Sequence, residues 1–434
     1  MVMKRRFYCR VVLALLGIFG IYVLNANSAR ELRTKFLPIV IDSSSSYFLQ
    51  EDTCPACYGK NRCGELQAGR LTLTTWTRFT VSWLFNARNV YRGQLEGRSG
   101  GVVAKMLGHD WEMERSLHEV VCLLGERPPF YCSGQHYIKY LTEQVYQRDK
   151  PADHIGPASR SLTMNFAQDA ARFLQPGSDY LGCVRSQDMM DFLTHKPQWH
   201  PSSLFSLENV LSMLLINPEP LVLTTFPAAE GWPFPEFLGS CGRVVLVEDC
   251  GQPLSEFLDS DFKTRVDLAL QVLKIATVMT DQDKDLALYL TDWSLSNFAV
   301  DSKGKVTLID LENIVVVNKT QVVSVGAPGS SVVHTSSGGE DGYALEDLCS
   351  HVKSDNNIYG ACQWILYPHA KATKTWTRGL LYDIPQAVRS KHVLLEKLLR
   401  ECSWPSHPVP GARMEAANQL RDILTQISSS QHQE

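Results

Sequence analysis

The stretch of residues 288–312 constrains this chain most, because it combines three polar side chains with a hairpin pattern. Asp292 is followed five residues later by Asn297, and thirteen residues after that by Asp310. Between Asn297 and Asp310, two apolar, β-branched-rich runs flank the turn-forming sequence Asp-Ser-Lys-Gly, a pattern that predicts a β-hairpin. Since a short hairpin returns to its starting point, we expect Asn297 and Asp310 to lie close together and near Asp292.

These side chains suit phosphoryl transfer from a nucleotide. Asp292 can accept the proton of an attacking hydroxyl. The amide oxygen of Asn297 and the carboxylate of Asp310 can hold Mg²⁺ or Mn²⁺, since such hard cations prefer oxygen ligands. The pattern resembles the catalytic loop and metal-binding segment of protein kinases, H-R-D-x-x-x-x-N followed by D-F-G. The resemblance implies an α+β, protein-kinase-like two-lobed fold with ATP and a divalent cation as cofactors.

A buried strand with one cation is predicted upstream, at residues 101–107. Its Val-Ala-Lys sequence resembles the kinase V-A-I-K strand, whose lysine holds the α and β phosphates. Alone, Lys105 would equally suit an edge strand protected against aggregation. The three polar residues downstream favour the phosphate-binding interpretation.

The kinase resemblance also implies a glutamate partner for Lys105. A helix predicted over residues 110–125 carries three candidates. Glu119 is favoured by its distance from the strand, Glu112 and Glu114 are alternatives, and all three would also suit a solvent-exposed helix face.

Residues 243–251 are predicted to form the last strand of the small lobe and the start of the hinge, where backbone groups bind adenine. Glu248 marks the end of this strand, and the 44 residues from Glu248 to Asp292 are close to the kinase separation. A further strand is predicted at 89–95. Apolar side chains at helical spacing predict a helix over 262–280.

Four features depart from the kinase pattern. Bulky residues occupy 83–88, where a Gly-rich loop would cradle the phosphates. Leu290 and Thr291 replace the His and Arg of the catalytic loop, and Ser294 replaces its Lys. Asp310-Leu-Glu replaces D-F-G, and its glutamate could serve as a further metal ligand.

The N-terminus predicts entry into the secretory pathway. A cationic start precedes an apolar run at 11–24, which is short for a spanning helix and typical of a signal peptide. Residues 1–30 are therefore a signal peptide or an uncleaved anchor. We expect a Golgi or secreted protein, with membrane contact only through this segment if it is uncleaved. Asn318-Lys-Thr is a predicted glycosylation site.

Cysteine usage agrees with an oxidising compartment. Eleven of the twelve cysteines follow the N-terminal segment, so most should form disulfides and at least one should lack an intramolecular partner. Cys54, Cys57 and Cys63 could instead bind zinc, although disulfides are the favoured interpretation.

The domain boundaries follow from these features. Residues 31–75 are interpreted as a linker and a disulfide-stapled, Cys-rich cap. Residues 76–252 form the predicted small lobe, with an insertion at about 126–240. Residues 253–434 form the predicted helical large lobe, including helices at 387–400 and 414–427. A net charge of −4 gives no electrostatic indication of nucleic-acid binding.

Several stretches resemble the divergent protein kinase domain 2 family, also called the deleted-in-autism protein family. They are Cys54-Pro-Ala-Cys57, Asn89-Val-Tyr91, Asn217-Pro-Glu-Pro-Leu-Val-Leu, Glu230-Gly-Trp-Pro-Phe, Leu238-Gly-Ser-Cys241-Gly-Arg, Ala287-Leu-Tyr-Leu with Asp292, and Asn297-Phe-Ala-Val. The resemblance implies a Golgi-associated or secreted kinase-like protein that acts on, or binds to, lumenal or extracellular proteins.

Three functions follow as hypotheses. The first is a secretory-pathway kinase acting on hydroxyls, as the retained polar residues indicate. The second is a catalytically inactive pseudokinase that serves as a secreted signalling or scaffolding protein, as the four departures indicate. The third is transfer of a nucleotide instead of a phosphate.

Overall fold

β-Branched and aliphatic runs form the strands of this protein, and amphipathic segments form its helices. The computed structural model describes residues 40–41, 43–50, 60–74, 90–107, 181–182, 217–319, 332–333, 353–366, 378–407 and 411–430. The strands are β1 Val40–Ile41, β2 Leu71–Thr74, β3 Val90–Leu95, β4 Gly101–Met106, β5 Leu181–Gly182, β6 Phe237–Cys241, β7 Val244–Glu248, β8 Gln252–Pro253, β9 Leu286–Leu290, β10 Phe298–Val300, β11 Val306–Leu308, β12 Ile314–Asn318, β13 Val332–Val333 and β14 Lys353–Ser354.

The described helices are α1 Ser46–Leu49, α2 Cys63–Gln67, α3 Glu219–Thr225, α4 Phe262–Asp281, α5 Asn356–Gly360, α6 Gln386–Lys391, α7 Leu395–Ser403 and α8 Ala412–Ser429. Three 3₁₀ turns lie at Ala228–Glu230, Leu254–Phe257 and Leu295–Asn297. A π-helical stretch, Ala361–Leu366, continues α5.

A six-stranded sheet in the order β1-β2-β3-β4-β7-β6 forms the strand-rich part of the molecule. All its neighbours are antiparallel. The predicted strands at 89–95, 101–107 and 243–251 are present as β3, β4 and β7. Lys105 of β4 lies opposite Val245 of β7, so the lysine sits in the interior of the sheet rather than at its edge.

The N-terminal residues cover one face of this sheet. Phe48, Leu49 and Leu66 of the two short helices pack on the sheet in a cluster of buried side chains. A disulfide joins Cys63 of α2 to Cys241 of β6. Within residues 31–75, the two short helices therefore form a cap that is covalently attached to the sheet, whereas β1 and β2 are strands of the sheet itself. Cys54 and Cys57 lie outside the described residues.

The helical part packs around α4, which begins where Asp261 caps the backbone N–H of Thr264. Its apolar face, including Val266, Leu273 and Ala276, is buried in the main core. This helix matches the one predicted over 262–280. The sequence pattern alone was enough to locate α4, because its buried apolar side chains repeat with helical spacing.

The predicted helix at 387–400 is two helices in the structure. His392 ends α6 with φ −120° and ψ 67°, and α7 begins at Leu395. The helix predicted at 414–427 is present within α8. A disulfide joins Cys362 to Cys402 in this region.

A buried ion pair connects α8 to the residue before α5. Arg413 Nη1 lies 2.6 Å from Asp355 Oδ2, and the two side chains are 3% and 0% exposed. Both charges are thus removed from water and neutralise each other.

Several predicted segments lie outside the described residues. These are residues 1–30, 83–88 and 110–125. The interval 126–240, predicted as an insertion, contains α3 and most of β6 near its C-terminal end, and both elements are packed in the described core. Within the described ranges, no helix is long and apolar enough to cross a membrane.

Candidate functional site

The predicted hairpin is present as β10 and β11. Phe298 pairs with Leu308, and Val300 with Val306. In the turn, Asp301 Oδ1 accepts hydrogen bonds from two backbone N–H groups that follow it. At the open end, the N–H of Ile309 donates to the carbonyl of Asn297 at 2.8 Å. The hairpin therefore returns residue 309, and with it the half-buried Asp310, to the side of Asn297.

Asn297 also contacts Asp292. Its Nδ2 donates to the backbone oxygen of Asp292 at 3.0 Å and to the carboxylate Oδ2 at 3.1 Å. Asn297 is buried, whereas Asp292 is exposed. The amide nitrogen is engaged by Asp292, so the oxygen of Asn297 is the atom chemically suited to a cation, and Asp292 remains accessible to a substrate hydroxyl.

Lys105 connects the sheet to this loop region. Its Nζ donates to Glu219 Oε1 at 2.6 Å and to the backbone oxygen of Ile309 at 2.5 Å. Lys105 is 8% exposed and Glu219 1%. The buried cation is therefore neutralised by one carboxylate and touches the residue directly before Asp310.

The identity of this carboxylate was missed by sequence reasoning. Glu119, with its alternatives Glu112 and Glu114, lies outside the described residues, and the acid that pairs with Lys105 is Glu219. It is the first residue of α3, 114 positions after Lys105. Asn-Pro-Glu-Pro, which places prolines at the start of an apolar run, was the available sign of a helix N-terminus here.

Asn217 joins Glu219 to the segment after the hairpin. The backbone N–H of Glu219 donates to Asn217 Oδ1 at 2.9 Å. Asn217 Nδ2 donates to Glu312 Oε2 at 3.1 Å. Asn217 is 1% exposed. One buried amide thus contacts both acidic residues.

The predicted hinge follows β7. Glu248 ends this strand, and the N–H of Asp249 donates to the carbonyl of Gly101 at 3.1 Å. Gly251 has φ +99°, and a Cβ there would lie 2.0 Å from the carbonyl oxygen of Val300. Glycine is required at this position because the chain passes directly against β10.

The hinge is contacted by Arg92 and contains Cys250. Arg92 Nη2 donates to the carbonyl of Gly251, which ties β3 to the hinge. Cys250 is a free, buried cysteine. Burial raises the pKa of its thiol to about 12, and the negative charge of Glu248 adds to the effect. The thiol therefore stays protonated and unreactive at neutral pH.

Val90 and Val103 lie beside Lys105 on the face of the sheet opposite the cap. Tyr91, Val102 and Ala104 pack towards the cap, so alternation along the strands places Val90 and Val103 on the other face. Val90 is 46% exposed. Val103 is partly buried against the main core, so Val90 offers the exposed apolar surface next to Lys105.

Two adjacent asparagines hold the strand that leads to Asp292. Asn357 Nδ2 donates to the carbonyl of Leu288 at 2.7 Å, and its Oδ1 accepts from the N–H of Leu290 at 3.0 Å. Asn356 Nδ2 donates to the carbonyl of Leu290 at 3.1 Å. Both asparagines are buried. Their role is not visible in the sequence, because nothing in an Asn-Asn pair reveals a partner more than sixty positions away.

Short polar side chains occupy two of the divergent loop positions. Thr291 uses its N–H and its hydroxyl to bind the carbonyl of Asn313, each at 3.0 Å. Ser294 Oγ lies 2.8 Å from Ser296 Oγ. Both positions therefore make local hydrogen bonds and supply no positive charge. In the described part of the chain, no three His, Cys, Asp or Glu side chains are grouped to hold a metal.

Three features define a protein-kinase-like domain of mixed strands and helices. They are the sheet with its buried lysine–glutamate pair, the Asp292–Asn297 loop, and the hairpin leading to Asp310. In agreement, residues 211–405 match the family described as the protein-kinase domain of FAM69. Divergent protein kinase domain 2A of Xenopus tropicalis is 34% identical over 406 residues, which cover 88% of each chain. The mouse protein of the same name is 35% identical over 405 residues, with the same coverage.

Human divergent protein kinase domain 2B is more distant, at 28% identity over 223 residues that cover 50% of this chain and 46% of the relative. The extent of the similarity to the 2A proteins decides the family. The chain belongs to the divergent protein kinase domain 2 family, which confirms the resemblance seen in the sequence.

Proposed function

We propose that this protein is a secretory-pathway kinase that transfers the γ-phosphate of ATP to hydroxyls of lumenal or extracellular proteins. The observation that carries the proposal is the pair of contacts made by Lys105, at 2.6 Å to Glu219 and at 2.5 Å to the carbonyl of Ile309. A buried, paired lysine directly beside the segment of Asp310 is the arrangement that phosphoryl transfer in kinases requires.

The donor set fits Mg²⁺ or Mn²⁺ together with ATP. Asn297 and Asp310, which the hairpin brings side by side, would supply the oxygen atoms, and Mg²⁺ is usually held by one or two such side chains plus substrate phosphates. When bound, the metal would neutralise charge on the phosphates. Lys105 would contact the α and β phosphates, Val90 would face the base, and the hinge backbone at Glu248 would bind adenine.

Asp292 would orient an incoming hydroxyl and accept its proton. Its side chain is exposed, and Asn297 fixes its direction by donating to Oδ2 at 3.1 Å. A positioned base of this kind contributes about 10²–10⁴-fold to the rate. Asn356 and Asn357 would keep the strand before Asp292 in place.

The proposal extends to architecture and location. The six-stranded sheet with its cap would be the small lobe, α4 to α8 would be the large lobe, and an insertion would lie between β4 and α3. The cationic, apolar N-terminus and the disulfides support residence in the Golgi or secretion. In the secretory pathway, a glycan would be attached to Asn318.

A second candidate is a pseudokinase that acts as a secreted signalling or scaffolding protein. Thr291 and Ser294 favour it, because their local hydrogen bonds leave these two loop positions without the cations that assist phosphate transfer. Transfer of a nucleotide remains the third hypothesis.

The test combines binding with transfer. The full chain, expressed in a eukaryotic secretory system and purified, is titrated with ATP in the presence and absence of Mg²⁺ or Mn²⁺. Transfer of labelled γ-phosphate onto itself and onto lumenal proteins is then compared with that of Asp292→Asn. We expect metal-dependent binding by both proteins and transfer by the wild type alone.

Three other results would count against this function. The wild type could bind ATP but incorporate no more phosphate than Asp292→Asn does across a broad substrate panel. That result would favour the pseudokinase. Metal-independent binding, or none at millimolar ATP, would favour it further. Incorporation of label from the α-phosphate instead of the γ-phosphate would identify nucleotide transfer.

A further inference from the structure

The buried side chain of Asn217 makes an unusual pair of contacts, since its single amide contacts two acidic residues from different parts of the chain. Its oxygen accepts the N–H of Glu219 at 2.9 Å, and its nitrogen donates to the carboxylate of Glu312 at 3.1 Å. Because a backbone N–H can only donate, the amide oxygen must face Glu219, which directs the NH₂ group towards Glu312. The orientation of the amide is therefore determined by its partners.

The surrounding sequence makes this connection rigid. Pro218 and Pro220 flank Glu219, so two backbone φ angles are restricted and neither proline has an N–H to donate. Glu219 supplies the backbone donor of this short segment, and Asn217 accepts it. A displacement of Asn217 would consequently move the first turn of α3, which carries the partner of Lys105.

The far end of the connection lies two residues after Asp310. Hydrogen bonds to ionised carboxylates are stronger than those between neutral groups. The bond to Glu312 therefore holds the residues after the hairpin against the start of α3, while Lys105 holds Ile309 from the other side. Glu219, Lys105, Ile309 and Glu312 are connected in one network through Asn217.

We propose that Asn217 and Glu312 form a strut that fixes Glu219 against Lys105 and the Asp310 segment, and that this strut controls the affinity of the protein for a nucleotide. The part concerning affinity rests on the proposed function, whereas the part concerning Lys105 does not. Glu312 acts here as a positioning residue, and its contact with Asn217 is an alternative to the role of metal ligand.

The test is a reversal of the hydrogen bond. In Asn217→Asp, the new carboxylate still accepts from Glu219 but repels Glu312. In the double variant with Glu312→Gln, the amide and the carboxylate have exchanged places, so Gln at 312 can donate to Asp at 217. Asn313→Asp is the matched control, because it adds the same negative charge at an exposed position directly after Glu312.

Two measurements are made on the full chain. The first is the rate at which N-hydroxysuccinimidyl acetate acetylates Lys105 in nucleotide-free protein, followed by mass spectrometry of the peptide. The second is the dissociation constant of Mg²⁺-ATP. We expect Asn217→Asp to expose Lys105 to several-fold faster acetylation and to weaken ATP binding about tenfold, as loss of a charged hydrogen bond predicts. In the double variant, the acetylation rate of Lys105 and the dissociation constant of Mg²⁺-ATP should both return most of the way to the wild-type values. Asn313→Asp should match the wild type in both measurements.

The outcomes separate the strut from the proposed function. Equal acetylation of Lys105 in Asn217→Asp and wild type would overturn the strut. A double variant that binds Mg²⁺-ATP more weakly than Asn217→Asp alone would also overturn it, and would instead make Glu312 a metal ligand. If the acetylation pattern holds but neither the wild type nor any variant binds ATP, the strut stands and the kinase proposal fails.

Discussion

Lys105 and Glu219 form a buried ion pair across 114 positions of the sequence, with 2.6 Å between Nζ and Oε1. The carboxylate side chain is 1% exposed. A charge so thoroughly removed from water is tolerated only with its partner present. The pair therefore bears on the stability of the protein as well as on its chemistry.

We predict that Lys105→Ala destabilises the protein by about 3–5 kcal/mol, because it leaves the carboxylate of Glu219 buried and uncompensated. The double variant Lys105→Met with Glu219→Leu should recover most of this loss, since it replaces both charges by apolar groups. Urea unfolding followed by tryptophan fluorescence measures the difference. Lys303→Ala, in the exposed hairpin turn, is the control and should be neutral. A Lys105→Ala variant as stable as this control would show that the pair is not buried in solution.

Cys250 should resist alkylation in the folded protein. Burial raises the pKa of its thiol from 9.0 to about 12, so almost no thiolate is present at pH 8. Peptide mass spectrometry after treatment with N-ethylmaleimide should find Cys250 unmodified in native protein and modified in urea.

The same shift predicts a dependence of stability on pH. Since the folded-state pKa is raised, the contribution of Cys250 is fully present below pH 9 and is lost as the pH rises from 9 towards 12. Cys250→Ala should remove this part of the alkaline loss of stability. Fast labelling of the native thiol at pH 8 would contradict both expectations.

Loss of the Cys63–Cys241 disulfide should release the cap. Replacing both cysteines by serine should cost about 2–5 kcal/mol and should speed tryptic cleavage at Arg62 and Arg70, which lie in the cap. The matched control is Cys362→Ser with Cys402→Ser, which removes the other described disulfide. This control should leave cleavage at the two arginines slow. Equal cleavage in both variants would mean that the disulfide does not hold the cap in place.

Asn318 provides the test of location. If the N-terminal segment directs the chain into the secretory pathway, the protein from cells should shift in electrophoresis after endoglycosidase treatment. Asn318→Gln should run at the position of the treated wild type. A cytosolic pool with reduced cysteines and no such shift would refute the predicted location.

The hairpin of the site could be predicted because its information is local. Apolar runs, a turn sequence and fixed spacings decided where β10 and β11 would lie, and they brought Asn297 near Asp292 as expected. The helix α4 was equally accessible, since its apolar positions repeat with helical spacing. Family membership followed from motifs spread over most of the chain.

Contacts between distant residues could not be predicted in the same way. Glu219 pairs with Lys105 across 114 positions of the sequence. At this distance, nothing in the sequence indicates which helix carries the acid. Asn357 binds the strand before Asp292 through tertiary contacts alone. The break at His392 depends on backbone angles that an uninterrupted amphipathic pattern does not reveal, so one predicted helix became α6 and α7.

The attachment of the cap to the sheet has a practical consequence for producing this protein. A fragment cut to residues 211–405 would retain Asp292 and the hairpin but would lack β4 with Lys105, leaving β7 as a bare edge that invites aggregation. It would also separate Cys241 from Cys63 and leave Asp355 without Arg413. A soluble, assayable preparation should therefore extend at least from residue 40 to residue 430.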